Sequence, residues 1–213
     1  MLTGKRAERT RRSMLDAGIN LLVDRPIDAI PVDDVIAKAG VAKGSFFNHF
    51  VDKQGFSKAI YEEIRGRLEE RIGAANHDVD NPLLRLSGGM RIAVEFALAE
   101  RKSCIAMLRS AGGSTSESHP LNLGIQADLK ACIDAKLVDP ETGKIGILYW
   151  LGLCQALMTD VIQRRLSVQV ASKQLHQMLL LGLTGLGVDA ELVHDAAASQ
   201  SESLKHVQNN NIS

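Results

Sequence analysis

Apolar residues recur every three to four positions along most of this chain, and no stretch alternates strictly in the manner of a half-buried strand. Met14, Ala17, Leu21 and Leu22 mark one buried face of a first helix. It ends near Asp24-Arg25-Pro26, because Pro26 disfavours helical geometry at the residue before it. Ile27 and Ile30 anchor this helix to the next segment. That short segment runs from Val32 to Ala39 and stops at Gly40, a residue that can adopt the left-handed conformation closing a helix. A second runs from about Lys43 to Phe50. Val35 with Ala39, and Phe46 with Phe50, lie one helical turn apart, and Val41 plugs the corner. Two short helices joined by a Gly-containing turn make a helix-turn-helix pattern.

From Lys53 to about Ala75 a longer helix carries Phe56, Ile60, Ile64 and Leu68 on one face. The polar run Asn76–Pro82 ends it. Leu83 to Lys102 has a helical stripe, and Cys104 to Leu108 is a short apolar segment. Residues 111–116 read as a flexible loop, Pro120 opens a helix carrying Leu123, Ala127, Cys132 and Leu137, and residues 139–143 form a turn. Two strongly apolar helices come next, at about 144–166 and 168–186. Both are apolar around much of their girth and so need more than one packing partner. A second subunit is the natural one, with Leu175 and Leu179 as the expected contact positions. The polar residues 199–213 read as a flexible tail. The expected fold is all-α: a three-helix head over residues 1–54, and a helical body over residues 55–198 whose first helix, 55–75, connects the two.

Composition narrows this picture little. The 213 residues are 45% hydrophobic with formal net charge +0, so any polyanion partner must be met by local charge. No apolar run is expected to span a membrane, which takes roughly 18 residues, and no signal core stands behind the basic N-terminus; a cytoplasmic protein is expected. Cys104, Cys132 and Cys154 are too few and too far apart for a disulfide framework or a zinc site. Charge does matter at the start of the chain. Lys5, Arg6, Arg9, Arg11 and Arg12 crowd a helix N-terminus, where cations oppose the macrodipole, and a phosphate backbone explains them better than stability does.

Candidate chemistry is confined to two places. The segment 43–50 turns Lys43, Gly44, Ser45, Phe47, Asn48 and His49 outward, and Lys53 lies just beyond it. With Arg9, Arg11 and Arg12 these residues are equipped to meet phosphates and base edges. Lys43 suits guanine and Asn48 suits adenine. No nucleophile elbow, phosphate loop or metal-ligand spacing is present, so neither a catalytic residue, a cofactor nor a metal is expected. In the body, Met90, Phe96, Met107, Leu123, Tyr149, Trp150 and Met158 are apolar or adaptable residues that suit either a core or a hydrophobic ligand site. Tyr149 and Trp150 supply polar handles.

The run G-V-A-K-G-S-F-F-N-H-F-x-x-K at Gly40–Lys53 resembles the helix-turn-helix signature of the TetR family of bacterial repressors, over about the first 60 residues. Three positions depart from the family's habit. Pro31 stands where a capping Thr is common, Ala42 replaces a Ser or Thr, and Phe47 replaces a Tyr, removing a phosphate-directed hydroxyl. The resemblance implies a homodimeric, ligand-responsive DNA-binding regulator, a repressor released from a near-palindromic double-stranded operator by a small, mostly hydrophobic effector. A DNA-binding architectural or assembly protein without an effector is the alternative.

Overall fold

Each element's start and stop has a local cause that can be traced in the computed structural model, which describes residues 2–110 and 120–209. Every regular element among them is helical. In order they are α1 (Leu2–Leu22), a 3-10 turn (Ile27–Ala29), α2 (Val32–Ala39), α3 (Lys43–His49), α4 (Lys53–Asn76), α5 (Pro82–Ala99) and α6 (Arg101–Arg109). Then come a 3-10 turn (Pro120–Asn122), α7 (Leu123–Asp134), a 3-10 turn (Pro140–Thr142), α8 (Gly143–Gln163), α9 (Val168–Gly185) and α10 (Ala190–Asn209). The Gly/Ser-rich run 111–116 and the terminal residues 210–213 lie outside the described residues.

The chain falls into two compact units, Met1–Gly66 with Arg101–Gly113, and Arg67–Glu100 with Ser114–Ser213. The first unit therefore extends beyond the expected residue 54, through the first half of α4, and also includes α6. Its core is aromatic. Phe46 and Phe56 are 5.3 Å apart between ring centroids, Phe50 and Phe56 are 4.9 Å apart, and both pairs meet edge to face. Met14, Leu22, Ile30, Val35 and Ile60 complete it. Gly18 lets α1 and α4 touch: a Cβ there would sit 2.5 Å from Phe56 Cζ and 2.6 Å from Ile60 Cδ1. Gly40 has φ 66°, the left-handed geometry that ends α2. Asp52 caps α4, its Oδ1 accepting from the Gly55 N–H at 2.7 Å. From α6, Arg109 donates to the Leu22 and Val23 carbonyls at 2.9 and 2.8 Å, satisfying the end of α1. Ser110 accepts a buried hydrogen bond from the Ser57 hydroxyl at 2.9 Å.

The second unit is built around α5, which packs against α7, α8, α9 and α10. Asn81 caps α5, its side chain accepting from Leu83 N at 2.9 Å and Leu84 N at 3.3 Å, with Pro82 at the first helical position. The stripe expected to run on to Lys102 breaks at Glu100, with no Gly or Pro to announce it. Glu100 accepts from two arginines one turn apart on α4, Arg67 at 3.2 Å and Arg71. Arg71 also lies 5.4 Å from the centroid of the Phe96 ring.

The expectation of a frayed tail from Ser199 does not hold for residues 199–209, which belong to α10. Its Val193, Ala196, Ala197 and Leu204 are buried, and so are the polar Gln200 and Ser201. Those two are satisfied: Arg91 Nε donates to Gln200 Oε1 at 2.9 Å, and the Ser172 hydroxyl donates to the Ser201 carbonyl at 2.6 Å. Helix α10 lies along α9, and Ser172 shares a helical face with Leu175 and Leu179. Both leucines are therefore buried within the protomer and are not outward positions. The outward apolar residues are Ile145 and Leu148 on α8, and Val170 and Leu181 on α9; Ile145 and Leu181 are 71% and 70% exposed. Sequence reading also understated α8. Ile145–Gln163 is long and apolar enough to cross a membrane by length and composition, although it packs here beside α5, α7 and α9.

Candidate nucleic-acid interface

The outer face of α3 is dictated by its inner face. Phe46 is fully buried, so the helix is fixed in rotation, and Lys43, Gly44, Phe47 and Asn48 point to solvent. Phe47 is 56% exposed, unusual for a large apolar side chain with a core beside it. A Cβ at Gly44 would meet nothing within 4 Å. Its missing side chain therefore serves no contact inside the protein; it leaves the α3 backbone open to close approach from outside. Ser45 and His49 are half-buried at the edges of this face.

The cations expected to meet DNA, by phosphate or by base edge, are placed in four different ways. Arg9 and Arg12 are exposed on α1. Arg11 is half-buried, its guanidinium 5.8 Å from the centroid of the Phe50 ring, so it contributes to packing as well as charge. Lys53 donates to the Asp28 carbonyl at 3.1 Å, tying the start of α4 to the 3-10 turn. Lys43 is paired with Asp33 of α2 at 2.9 Å, both side chains well exposed. Arg25 and Asp34 make a second link at 2.7 Å between the end of α1 and α2.

Sequence reasoning missed Val51. It is 91% exposed in the turn between α3 and α4, a second large apolar side chain left outward after Phe47. Apolar contact suits thymine methyl groups. Its signal was visible, an apolar residue directly after the Phe46–Phe50 core pair with no buried partner position left to fill. Asp33 was missed as well, since a first-turn carboxylate reads as ordinary support for the helix dipole.

The body residues expected to suit an effector are divided between the two units. Met90, Phe96, Trp150 and Met158 are buried in the second unit, whereas Met107 belongs to the first. Leu123 is 63% exposed among the described residues. Trp150 packs against α9, where a Cβ on Gly182 would lie 3.1 Å from its Cζ3. The Tyr149 hydroxyl donates to the Leu181 carbonyl at 3.2 Å and rests over Gly185. Among the described residues no three His, Cys, Asp or Glu side chains come together as metal ligands.

A family model described as bacterial regulatory proteins, tetR family, matches residues 14–60, the stretch that holds this face and its aromatic core. HTH-type transcriptional regulator YwcC of Bacillus subtilis (strain 168) is 43% identical over 66 residues, covering 31% of this chain and 30% of that protein. HTH-type transcriptional repressor DhaR of Mycobacterium sp. (strain GP1) is 31% identical over 75 residues, covering 35% and 38%. The chain thus spans about a third of the length of these curated relatives. The fold match is much longer. The crystal structure of RolR in complex with its ligand resorcinol superimposes with a TM-score of 0.66 at 20% identity, over 91% of this chain and 95% of that one. Signature, head geometry and family match converge on residues 14–60, and by them this stretch is a helix-turn-helix head of the kind found in the tetR family of bacterial regulatory proteins.

Proposed function

We propose that this protein is a DNA-binding transcriptional regulator of the cytoplasm, a repressor that works as a homodimer and is released from its operator by a small, mostly hydrophobic effector. The observation that carries the DNA reading is the outer face of α3: a backbone opened at Gly44, with exposed Lys43, Phe47 and Asn48 around it and exposed Arg9 and Arg12 on α1 of the same unit. Phosphate contacts from the arginines position the head, and Asn48 and Lys43 read base edges. Two heads on a dimer would address major grooves one helical turn apart, about 34–36 Å. Support for the dimer comes from the apolar positions that the protomer leaves outward, Ile145 and Leu148 on α8 and Leu181 on α9. Support for an effector comes from the fold shared with a protein solved with resorcinol, and from the buried Met90, Phe96, Trp150 and Met158. An effector would act by binding better to a body conformation that disfavours DNA, and the coupling would be reciprocal.

The test is selection of duplexes from a random library with the purified protein, then titration of Asn48→Ala on the selected site and on random duplex. A near-palindromic site should emerge. Asn48→Ala should cost about 1–3 kcal/mol on that site and little on random DNA. Failure to select any duplex would overturn the reading, and an equal loss on both duplexes would move Asn48 to the backbone contacts.

A further inference from the structure

The Lys43–Asp33 pair has a chemistry that the rest of the interface lacks. Lys43 opens the recognition helix, and its Nζ lies 2.9 Å from an Asp33 carboxylate oxygen on α2. The side chains are 68% and 71% exposed, so the pair stands in water at the surface meant for DNA. Asp34, its neighbour in the same first turn, is engaged by Arg25 at 2.7 Å and is less exposed. Both carboxylates suit the N-terminus of α2. Of the two, Asp33 is the one that holds a cation of the reading face. A carboxylate there also repels phosphate, which a protein selected for affinity alone would not keep.

We propose that Asp33 is a specificity-determining residue that acts through Lys43. Its carboxylate is an internal stand-in for a DNA phosphate. On DNA of arbitrary sequence, Lys43 gains little by exchanging one anion for another and stays on Asp33. On the right site, a guanine edge with its O6 and N7 acceptors outcompetes the carboxylate, and Lys43 leaves. The pair thus removes one cation from sequence-independent binding and reserves it for reading. An exposed ion pair is weak, worth a few-fold at most, which is what permits the exchange. This inference rests on the DNA-binding function proposed above.

The experiment is a double-mutant cycle on the full-length protein, Asp33→Asn and Lys43→Ala singly and together. Affinity is measured against salt on a random duplex and on a duplex selected with the wild-type protein. With Asp33→Asn the freed Lys43 should neutralise one more phosphate of random DNA. The salt slope there should steepen by about 0.9, and affinity should rise roughly two- to fivefold. The slope on the selected duplex should stay unchanged, so the ratio of selected to random binding falls. In the Lys43→Ala background Asp33→Asn should leave the random-duplex slope unmoved. Asp33→Glu, which keeps the charge, should restore the wild-type slope. An unchanged random-duplex slope in Asp33→Asn, or the same steepening without Lys43, overturns the proposal while leaving DNA binding intact. A wild-type protein that selects no duplex removes the DNA-binding function and this inference with it.

Discussion

The two units of this protein reach stability by different means, and the difference governs how much each reveals of its purpose. The first is small and held by three mutually touching phenylalanines, Phe46, Phe50 and Phe56. Each fixes the rotation of a helix or a turn, so the outward residues are specified along with the inward ones. The second is larger and mostly aliphatic, with helices meeting through Gly182, Gly185 and a buried polar seam at Gln200 and Ser201. Leu, Met, Val and Ala can fill such space in many ways, and volume-conserving exchanges are tolerated. Sequence likeness to the curated relatives is correspondingly confined to about a third of the chain, whereas the fold likeness covers nearly all of it.

The largest test of this contrast is Phe46→Ala. Removing the ring at the centre of the aromatic cluster should cost about 3–5 kcal/mol in urea unfolding. A loss below about 1 kcal/mol would mean that the cluster is not what holds the head, since core aromatic truncations normally cost several times that. Next is the outward apolar face of the second unit. Leu181→Glu should leave the protomer folded, because the side chain is 70% exposed, yet abolish dimers in sedimentation and lower operator affinity by about a hundredfold or more as one head loses its mate. A folded monomer that still binds the full site tightly would refute the dimeric mechanism. Glycines give a finer comparison. Gly18→Ala and Gly182→Ala should each destabilise by about 1–3 kcal/mol, Gly18 more, because its nearest neighbours are 2.5 and 2.6 Å from the added Cβ against 3.0 and 3.1 Å at Gly182. Gly44→Ala should do the opposite, gaining about 0.5–1 kcal/mol of stability while weakening DNA binding. Thermal melts beside gel shifts would separate the three.

The smallest effects come from the thiols, which report on one unit each. Burial pushes Cys104, in the first unit, up to about 12. Cys132, in the second, is raised to about 12 by burial and then by the Asp128 carboxylate, against a lowering influence from Arg85. An acid whose pKa is raised by folding stabilises the fold fully below its unfolded value, and loses that contribution as the unfolded thiol ionises. Stability should therefore decline from about pH 9 upward, through these two groups. At pH 8 a disulfide reagent should label Cys104 and Cys132 only as fast as their units open. Identical rates at the two sites would show that the units open together.

Legibility divides along the same line. Residues 40–53 could be read directly because turn, core spacing and outward chemistry all coincide there: Gly40 takes its left-handed turn and Phe46 and Phe50 face inward. Helix α10 was hidden because two of its inward positions are the polar Gln200 and Ser201. The Gln200 amide oxygen and the Ser201 carbonyl find their partners more than twenty residues away, and the Ser201 hydroxyl is satisfied within the helix by the Ala198 carbonyl. Without Arg91 and Ser172 in view, the segment looks like solvent-facing chain. The break at Glu100 was hidden for a related reason, since Arg67 and Arg71, not a Gly or Pro, mark it. Leu175 and Leu179 had the correct burial and the wrong partner: α10 covers them, a second subunit was expected to. Gly18 carries no signal of its own, because a close approach is a property of two helices and not of one.

The first unit is completed by a segment that arrives late. Ribosomes add roughly 5–20 residues per second, so α1 to α4 are made some seconds before α6. During that interval the Leu22 and Val23 carbonyls lack Arg109, and the Ser57 hydroxyl lacks its acceptor at Ser110. The nascent head must wait, half-finished, while the whole of α5 is translated. A fragment ending at Gly66 would be frozen at that stage, the proposed DNA-reading surface on an incomplete support. Excising the head as a portable reader would then require grafting α6 back onto it, because the support for the reading surface is encoded on both sides of α5.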